Sequence, residues 1–173
     1  MKKNFFVKVA FMLVAVLTAF VFVSCSKDDD EPTPPPFEYK DPCLKWHCTI
    51  DDVRTYMNTI GGYTEIPSTG KESDGKIVYE FRNDRKTYRY TIDSTGLIES
   101  EYSELYAVAN FDKLKDSVTR IHGVKEWNEE PVMSGVEWWT TSLTEEKAIV
   151  SIGKTKSPVE HMYVIFKYSD LVK

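Results

Sequence analysis

Apolar side chains recur at helical spacing in the segment 49–63, which predicts a short amphipathic helix. The stripe consists of Ile50, Val53, Met57 and Ile60. The segment also carries helix boundary signals, namely a polar cap residue, two acids in the first turn and a closing glycine pair at Thr49, Asp51, Asp52, Gly61 and Gly62.

A second segment, 110–124, has the same pattern 61 positions later. Its stripe is Phe111, Leu114, Val118 and Ile121, with Asn110 as the cap and Gly123 as the stop. One shift places cap on cap, stripe on stripe and Gly62 on Gly123. The chain therefore contains a candidate internal repeat.

Each predicted helix is followed by three runs of alternating apolar and polar residues, which predict strands. The runs cover 76–82, 87–93 and 97–108 in the first half, and 136–143, 147–153 and 161–169 in the second. The polar segments 64–75 and 125–135 are predicted to be loops. The chain reads α-β-β-β twice, over about 49–108 and 110–169. Because neither unit can bury its helix stripe alone, we expect an α+β domain at 43–173, with one antiparallel sheet and both helices on one face.

The first 24 residues follow a different pattern. A positive start, Lys2 and Lys3, precedes an apolar stretch from Phe5 to Val23 in which Lys8 is the only charge. This arrangement predicts an export signal. The alternative is an uncleaved transmembrane anchor, since about 20 apolar residues span a bilayer. The charge of Lys8 interrupts the stretch and favours the signal peptide.

The stretch FVSC, residues 22–25, resembles a bacterial lipobox, although Phe22 stands where leucine is usual. The following SKDDDE resembles the acidic export tag of surface-exposed lipoproteins in some Gram-negative bacteria. The resemblance implies acylation of Cys25 and an outer-membrane lipoprotein facing the cell exterior, with a periplasm-facing orientation as the alternative. Residues 25–42 would be a tether, which the run PTPPP would keep extended at about 3.1 Å per residue.

The charge balance limits the classes of partner. Cleavage before Cys25 would leave 19 basic and 27 acidic side chains, a net charge of −8. Such a surface does not seek anionic headgroups, so membrane attachment would come from the acyl chains, at about 0.8 kcal/mol per buried methylene. No cluster of Lys or Arg stands out, and we expect no nucleic-acid partner.

Two further cysteines lie in the short stretch CLKWHC. An oxidising compartment favours a disulfide between Cys43 and Cys48, provided that a turn brings their Cα atoms within about 4.4–6.8 Å. A metal site that adds His47 is the alternative, but zinc sites usually supply a second ligand pair downstream. We expect no metal and no other cofactor.

The tandem pattern resembles the β-lactamase inhibitor protein fold and, more loosely, the PepSY-like periplasmic domains. The helix-ending Gly62 and Gly123 and the stretch YRYTIDSTGLIES carry this resemblance over roughly 120 residues. It implies a binding or inhibitor-like role. In the family's inhibitor member each repeat contains a disulfide, whereas here both spare cysteines precede the first helix. A cystatin-like curled sheet and a small lipocalin-like barrel are alternative folds.

We find no catalytic signature in the sequence. There is no G-x-S-x-G motif, and His122, beside the glycine stop, is interpreted as a residue that caps a helix end. His161 at a strand start is expected at the surface. The paired acids are neighbours in sequence and do not face each other across a cleft as glycosidase carboxylates must.

The aromatic residues are the most informative feature. Because helices cover one sheet face only, strand aromatics on the other face meet water or a partner. Trp138 and Trp139 are adjacent, so one of them should face the core and the other the open face. The candidate binding residues are Trp127, Trp138, Trp139, Tyr102, Tyr106 and Tyr163. Ordinary packing between strands is the alternative explanation.

The sequence thus favours a surface-anchored, non-catalytic lipoprotein that binds a protein or a glycan through its open sheet face and loops. Two alternatives remain open. One is an extracytoplasmic hydrolase, which a deep pocket that gathers His122 or His161 with acids would support. The other is a structural subunit of an envelope assembly, which a large flat apolar patch would mark.

Overall fold

The computed structural model describes residues 36–67, 74–156 and 158–172. The predicted signal peptide, Cys25 and most of the predicted tether lie outside these residues. Within the described part, two α-helices and one eight-stranded antiparallel sheet form an α+β domain. The predicted fold class is confirmed.

The helices and strands follow the predicted order. The helices are α1 (Ile50–Ile60) and α2 (Phe111–His122). The strands are β1 (Thr64–Ile66), β2 (Ile77–Arg82), β3 (Lys86–Asp93), β4 (Gly96–Leu105), β5 (Asn128–Glu129), β6 (Val136–Leu143), β7 (Ala148–Thr155) and β8 (His161–Tyr168). The short strands β1 and β5 lie in segments that were predicted to be loops, so that part of the prediction is wrong.

The strand order across the sheet is β1-β2-β3-β4-β8-β7-β6-β5. The two halves of the chain meet at β4 and β8, and each half runs from its helix through four strands toward this central pair. Counted outward from the central pair, the strands follow reverse chain order on both sides, β4 to β1 on one side and β8 to β5 on the other. That the halves are copies of one repeated unit stays a prediction.

Local chemistry explains where the helices begin and end. Thr49 and Asp52 form a reciprocal capping box that satisfies free N–H groups at the start of α1. Gly61, with φ 71°, ends this helix, and Gly123, with φ 61°, ends α2 in the left-handed conformation that glycine adopts most easily. Asn110 precedes α2 without a capping side-chain hydrogen bond.

The core lies between the helices and one face of the sheet. On this face, residues that pair directly across six neighbouring strands form one continuous row. The row consists of Phe81, Tyr88, Tyr102, Val164, Ile152 and Trp139. Val53 and Met57 of α1 and Leu114 and Val118 of α2 are buried against it. Both helices therefore cover the same face, as the sequence predicts.

The chain enters the domain along the helix-covered face. Donors from β3 and β4 bind successive carbonyl oxygens of the entering segment, with Lys86 Nζ to Glu38 O at 2.7 Å, Tyr88 Oη to Lys40 O at 2.9 Å and Ser100 Oγ to Cys43 O at 2.6 Å. Residues 37–43 thus run from the start of β3 toward the opposite end of the sheet.

Candidate binding face

The face of the sheet that the helices leave uncovered carries the candidate site, and we call it the open face. Strand register places Trp138, Gly153 and Tyr163 side by side on it, on β6, β7 and β8. The row continues through Ser103 and Thr87 on β4 and β3. Two of the predicted binding aromatics therefore share one row, with a glycine between them.

Both aromatic side chains are held in place. Trp138 donates from Nε1 to the carbonyl oxygen of Pro131 at 3.2 Å. The Tyr163 ring lies over Gly153, where an added Cβ would overlap with its hydroxyl and ring atoms. Partial burial raises the pKa of the Tyr163 phenol, and the nearby Glu101 carboxylate adds to the effect. Both rings therefore make contacts within the protein that restrict their orientation.

The other half of the open face is charged. Arg89 lies between two carboxylates, 3.4 Å from Glu101 and 3.8 Å from Glu80, and Arg82 also contacts Glu80. Burial raises the pKa of the Glu101 carboxyl, although Arg89 opposes the shift. Two adjacent grooves, of about 510 and 390 Å³, share Arg89 and Glu101 as lining residues. The open face thus joins an aromatic half to a half with paired charges.

The structure places the remaining candidates elsewhere. Trp139 faces the helices, where the centroid of its ring lies 5.2 Å from that of the Phe111 ring. The ammonium nitrogen Nζ of Lys115 lies 4.3 Å from the centroid of the Trp139 ring. Trp127 also lies on the helix side, where its Nε1 donates to Thr119 Oγ1 at 2.9 Å. Tyr106 is exposed in the turn after β4 and has a positive φ of 57°.

The expectation that Tyr102 lies on the open face is wrong, because this side chain is fully buried against the helix-covered core. Simple alternation from the buried Leu97 would turn Tyr102 outward. The β3–β4 pairing shifts register between Thr91 and Ile92, so that Ile98 is an extra residue and the faces exchange after it. Ser100 and Tyr102 consequently point into the core.

The two domain cysteines meet in the core. Cys43 and Cys48 are both buried free thiols. Burial raises the pKa of Cys48 to about 12, with a further contribution from its hydrogen bond to Cys43. The disulfide between them stays a prediction. In the described part of the chain, no group of three or more His, Cys, Asp or Glu side chains is placed to hold a metal ion.

His122 occupies a site that sequence reasoning missed. Its side chain is only 5% exposed, with Nδ1 3.1 Å from Glu146 Oε1 and Nε2 3.2 Å from Asp41 Oδ1. Burial would lower the pKa of this imidazole, but the hydrogen bonds to Asp41 and Glu146 outweigh burial and raise it. Asp41 and Glu146 lie 81 and 24 residues away in sequence, so no local signal could have found the triad.

The hydrolase alternative would use this histidine. His122 and Glu146 contribute to the wall of a polar groove of about 700 Å³ at the C-terminal end of α2. Both ring nitrogens already face carboxylates, however, and a general base needs a nitrogen within reach of the substrate. The arrangement fits a clamp between three segments better than a catalytic base.

No protein-family model, curated protein or solved structure shows a significant match to this chain. Among the helices in residues 36–67, 74–156 and 158–172, none is long and apolar enough to cross a membrane.

Proposed function

We propose that this protein is a lipid-anchored, non-catalytic binding module that holds a protein partner on its open face. The observation that supports the proposal most directly is the pair of fixed aromatic side chains, Trp138 and Tyr163, in one row on a sheet face that neither helix covers. Large aromatic rings dominate the energetics of protein interfaces.

Order in the free protein favours this role. Association costs free energy for each side chain that must be immobilised, roughly 0.5–1.5 kcal/mol. Trp138 is restrained by its hydrogen bond to Pro131, and Tyr163 by its packing on Gly153. Part of the entropy that binding would otherwise cost is therefore already lost during folding. A partner would therefore gain contact area with little further ordering.

The division of the open face favours a protein over a glycan. Protein interfaces commonly combine an apolar, aromatic core with a polar rim. The aromatic half around Trp138 and Tyr163 and the charged half around Arg89 and Glu101 reproduce that combination on one surface. The charged side chains pair with each other, so they would set the orientation of a partner more than its affinity.

The anchor is the second part of the proposal. We infer acylation at Cys25 from the lipobox-like stretch FVSC, with the domain held outside the membrane by residues 26–36. Cys25→Ser should abolish incorporation of labelled palmitate, whereas Cys43→Ser should leave it unchanged. Unchanged incorporation in Cys25→Ser would contradict the anchor.

The partner can be tested by photocrosslinking in cells that make the protein. A benzophenone side chain at position 138 or position 163 should give adducts with the same protein. Position 121 is the matched control, because Ile121 is also exposed but lies on α2. Adducts of equal strength at 121 would contradict the open face. If no protein adduct forms but polysaccharide retards the protein in native gels, the partner is a glycan.

A further inference from the structure

Exposed apolar side chains gather at one end of the sheet. Five exposed apolar residues lie there, and we call them the apolar rim: Leu105, Tyr106, Val132, Met133 and Val159. They come from the end of β4, the β5–β6 hairpin and the β7–β8 turn. Tyr106 is 69% exposed, and Val132 and Met133 are each 64% exposed.

Strand pairing proves that these turns share one end. Leu105 pairs with His161 at the start of β8, and His161 pairs with Thr155 at the end of β7. Thr155 pairs in turn with Val136 at the start of β6, and Val136 bridges to Met133. The chain of pairs crosses the sheet at a single level.

The chain enters the domain at this same end. Lys86, the first residue of β3, donates to the Glu38 carbonyl and pairs with Glu104, the neighbour of Leu105. The following residues run away from the rim, because Lys40 and Cys43 are bound progressively further along the sheet. An anchor on the chain that precedes Phe37 would therefore be connected to the domain at its rim end.

We propose that the apolar rim rests on the lipid bilayer to which Cys25 is anchored. This inference depends on the lipid anchor of the proposed function. The eleven residues 26–36 would reach about 34 Å in the polyproline II conformation, at 3.1 Å per residue. A tether of this length gives the rim a high effective concentration at the membrane, so weak apolar contacts are sufficient.

The chemistry of the rim fits a bilayer interface better than a protein pocket. Its side chains come from the end of β4 and from two turns, so no single segment of the chain builds this surface. Tyr106 combines an apolar ring with a polar hydroxyl, the combination that suits the headgroup level. The nearby Glu160 carboxylate is drawn inward, where it accepts a hydrogen bond from the Val108 N–H at 3.2 Å. With a net charge of −8 after cleavage, the contact would rest on apolar burial and not on attraction to anionic headgroups.

Depth-dependent fluorescence quenching tests the proposal on the full-length lipidated protein in phosphatidylcholine vesicles. Met133→Cys and Leu171→Cys each receive an environment-sensitive label in the folded state, in which Cys43 and Cys48 are buried. Leu171 is the matched control, because it is 90% exposed and follows the C-terminal end of β8, away from the rim. Both sites are at the surface, so the substitutions should leave the fold intact.

We expect lipids with brominated acyl chains to quench the label at 133 at least about threefold more than at 171, since interfacial side chains sit about 5–10 Å into the headgroup boundary. Equal quenching at the two positions would overturn the inference and leave the anchor standing. A label at 133 that is shielded in native membranes but not in pure lipid would assign the rim to a protein. Protein that fails to float with the vesicles would refute the anchor and the inference together.

Discussion

At the scale of single residues, the two adjacent tryptophans of β6 differ in what surrounds them. Trp139 packs against Phe111 and the core, whereas Trp138 lies on the open face. We expect Trp139→Ala to lower the free energy of unfolding by roughly 2–4 kcal/mol, because it leaves a cavity beside the core. Trp138→Ala should cost less than about 1 kcal/mol. Urea unfolding measures both, and two severe losses would show that both rings are buried.

His122 predicts a pH-dependent stability. Each ring nitrogen faces a carboxylate, and only the doubly protonated ring can donate to both. Because the folded-state pKa is raised, the stabilisation should be complete below the unfolded value of about 6.5 and should be lost as pH rises through the folded-state pKa. Urea unfolding between about pH 5.5 and 9 should show stability falling in that direction.

Two variants isolate this effect. His122→Gln should remove the pH dependence and cost about 1–3 kcal/mol at low pH, less than a fully buried ion pair because Asp41 and Glu146 keep some solvent contact. His161→Gln is the control, since it removes a ring whose Nδ1 contacts only the Val159 carbonyl among the described hydrogen bonds. If the two variants show the same pH profile, the clamp is not the cause.

At the scale of elements, the loop before α1 depends on a glycine in the first position of β4. Gly96 has a φ of 105°, and an added Cβ would lie 2.5 Å from the carbonyl carbon and oxygen of His47. Backbone hydrogen bonds from His47 N to Leu97 O and from Leu97 N to Cys48 O, both 3.0 Å, hold the loop in this position. These hydrogen bonds hold the backbone of His47 against Gly96, so the loop cannot move away from a larger residue without losing them.

Gly96→Ala should consequently destabilise the domain by roughly 2–4 kcal/mol, through both backbone strain and overlap. Gly62→Ala is the matched control, because Gly62 also has a positive φ, 76°, but nothing lies within 4 Å of its added Cβ. It should cost only about 1 kcal/mol. Thermal unfolding compares the two, and equal losses would mean that the contact with His47 is unimportant.

The pair Cys43 and Cys48 gives a second prediction for the same loop. Cys43 is near enough to raise the pKa of the buried Cys48 thiol, so in an oxidising compartment we expect the two thiols to pass two electrons and two protons to a disulfide oxidant and form one bond. Closing this short loop should stabilise the fold by about 2 kcal/mol. When the exported protein is denatured without reductant, maleimide should then label neither Cys43 nor Cys48. After reduction, maleimide should label both. Two labels before reduction would contradict the bond.

The elements that the sequence predicts are those with strong local signals. Helical stripes and glycine stops predict α1 and α2, with a formed side-chain cap only at α1, and alternating runs predict the six long strands. The strands β1 and β5 were missed because two or three residues are too few for a pattern, and their pairing with β2 and β6 defines them. Tyr102 was misplaced for a related reason. A single bulged residue, Ile98, reverses the faces of β4, and only the pairing with β3 reveals it.

At the scale of the whole molecule, long-range contacts join the two halves of the chain. The β4–β8 ladder aligns seven residue pairs, among them the buried Tyr102 opposite Val164. Asp41 from the first half and His122 from the second meet as well. None of these contacts leaves a trace in sequence spacing. The order of elements is predictable because it follows from local patterns, whereas the triad and the rim depend on such contacts and are not.

The central ladder makes each half depend on the other, because either half alone would expose the buried side chains of β4 or β8 to water. We expect fragments 37–106 and 107–173 to be largely unfolded separately and to regain the native circular dichroism spectrum when they are mixed. The second fragment carrying Val164→Asp is the control, since a charge opposite Tyr102 in the core should prevent association. A fragment that folds alone with a sharp thermal transition would show that the halves are independent domains.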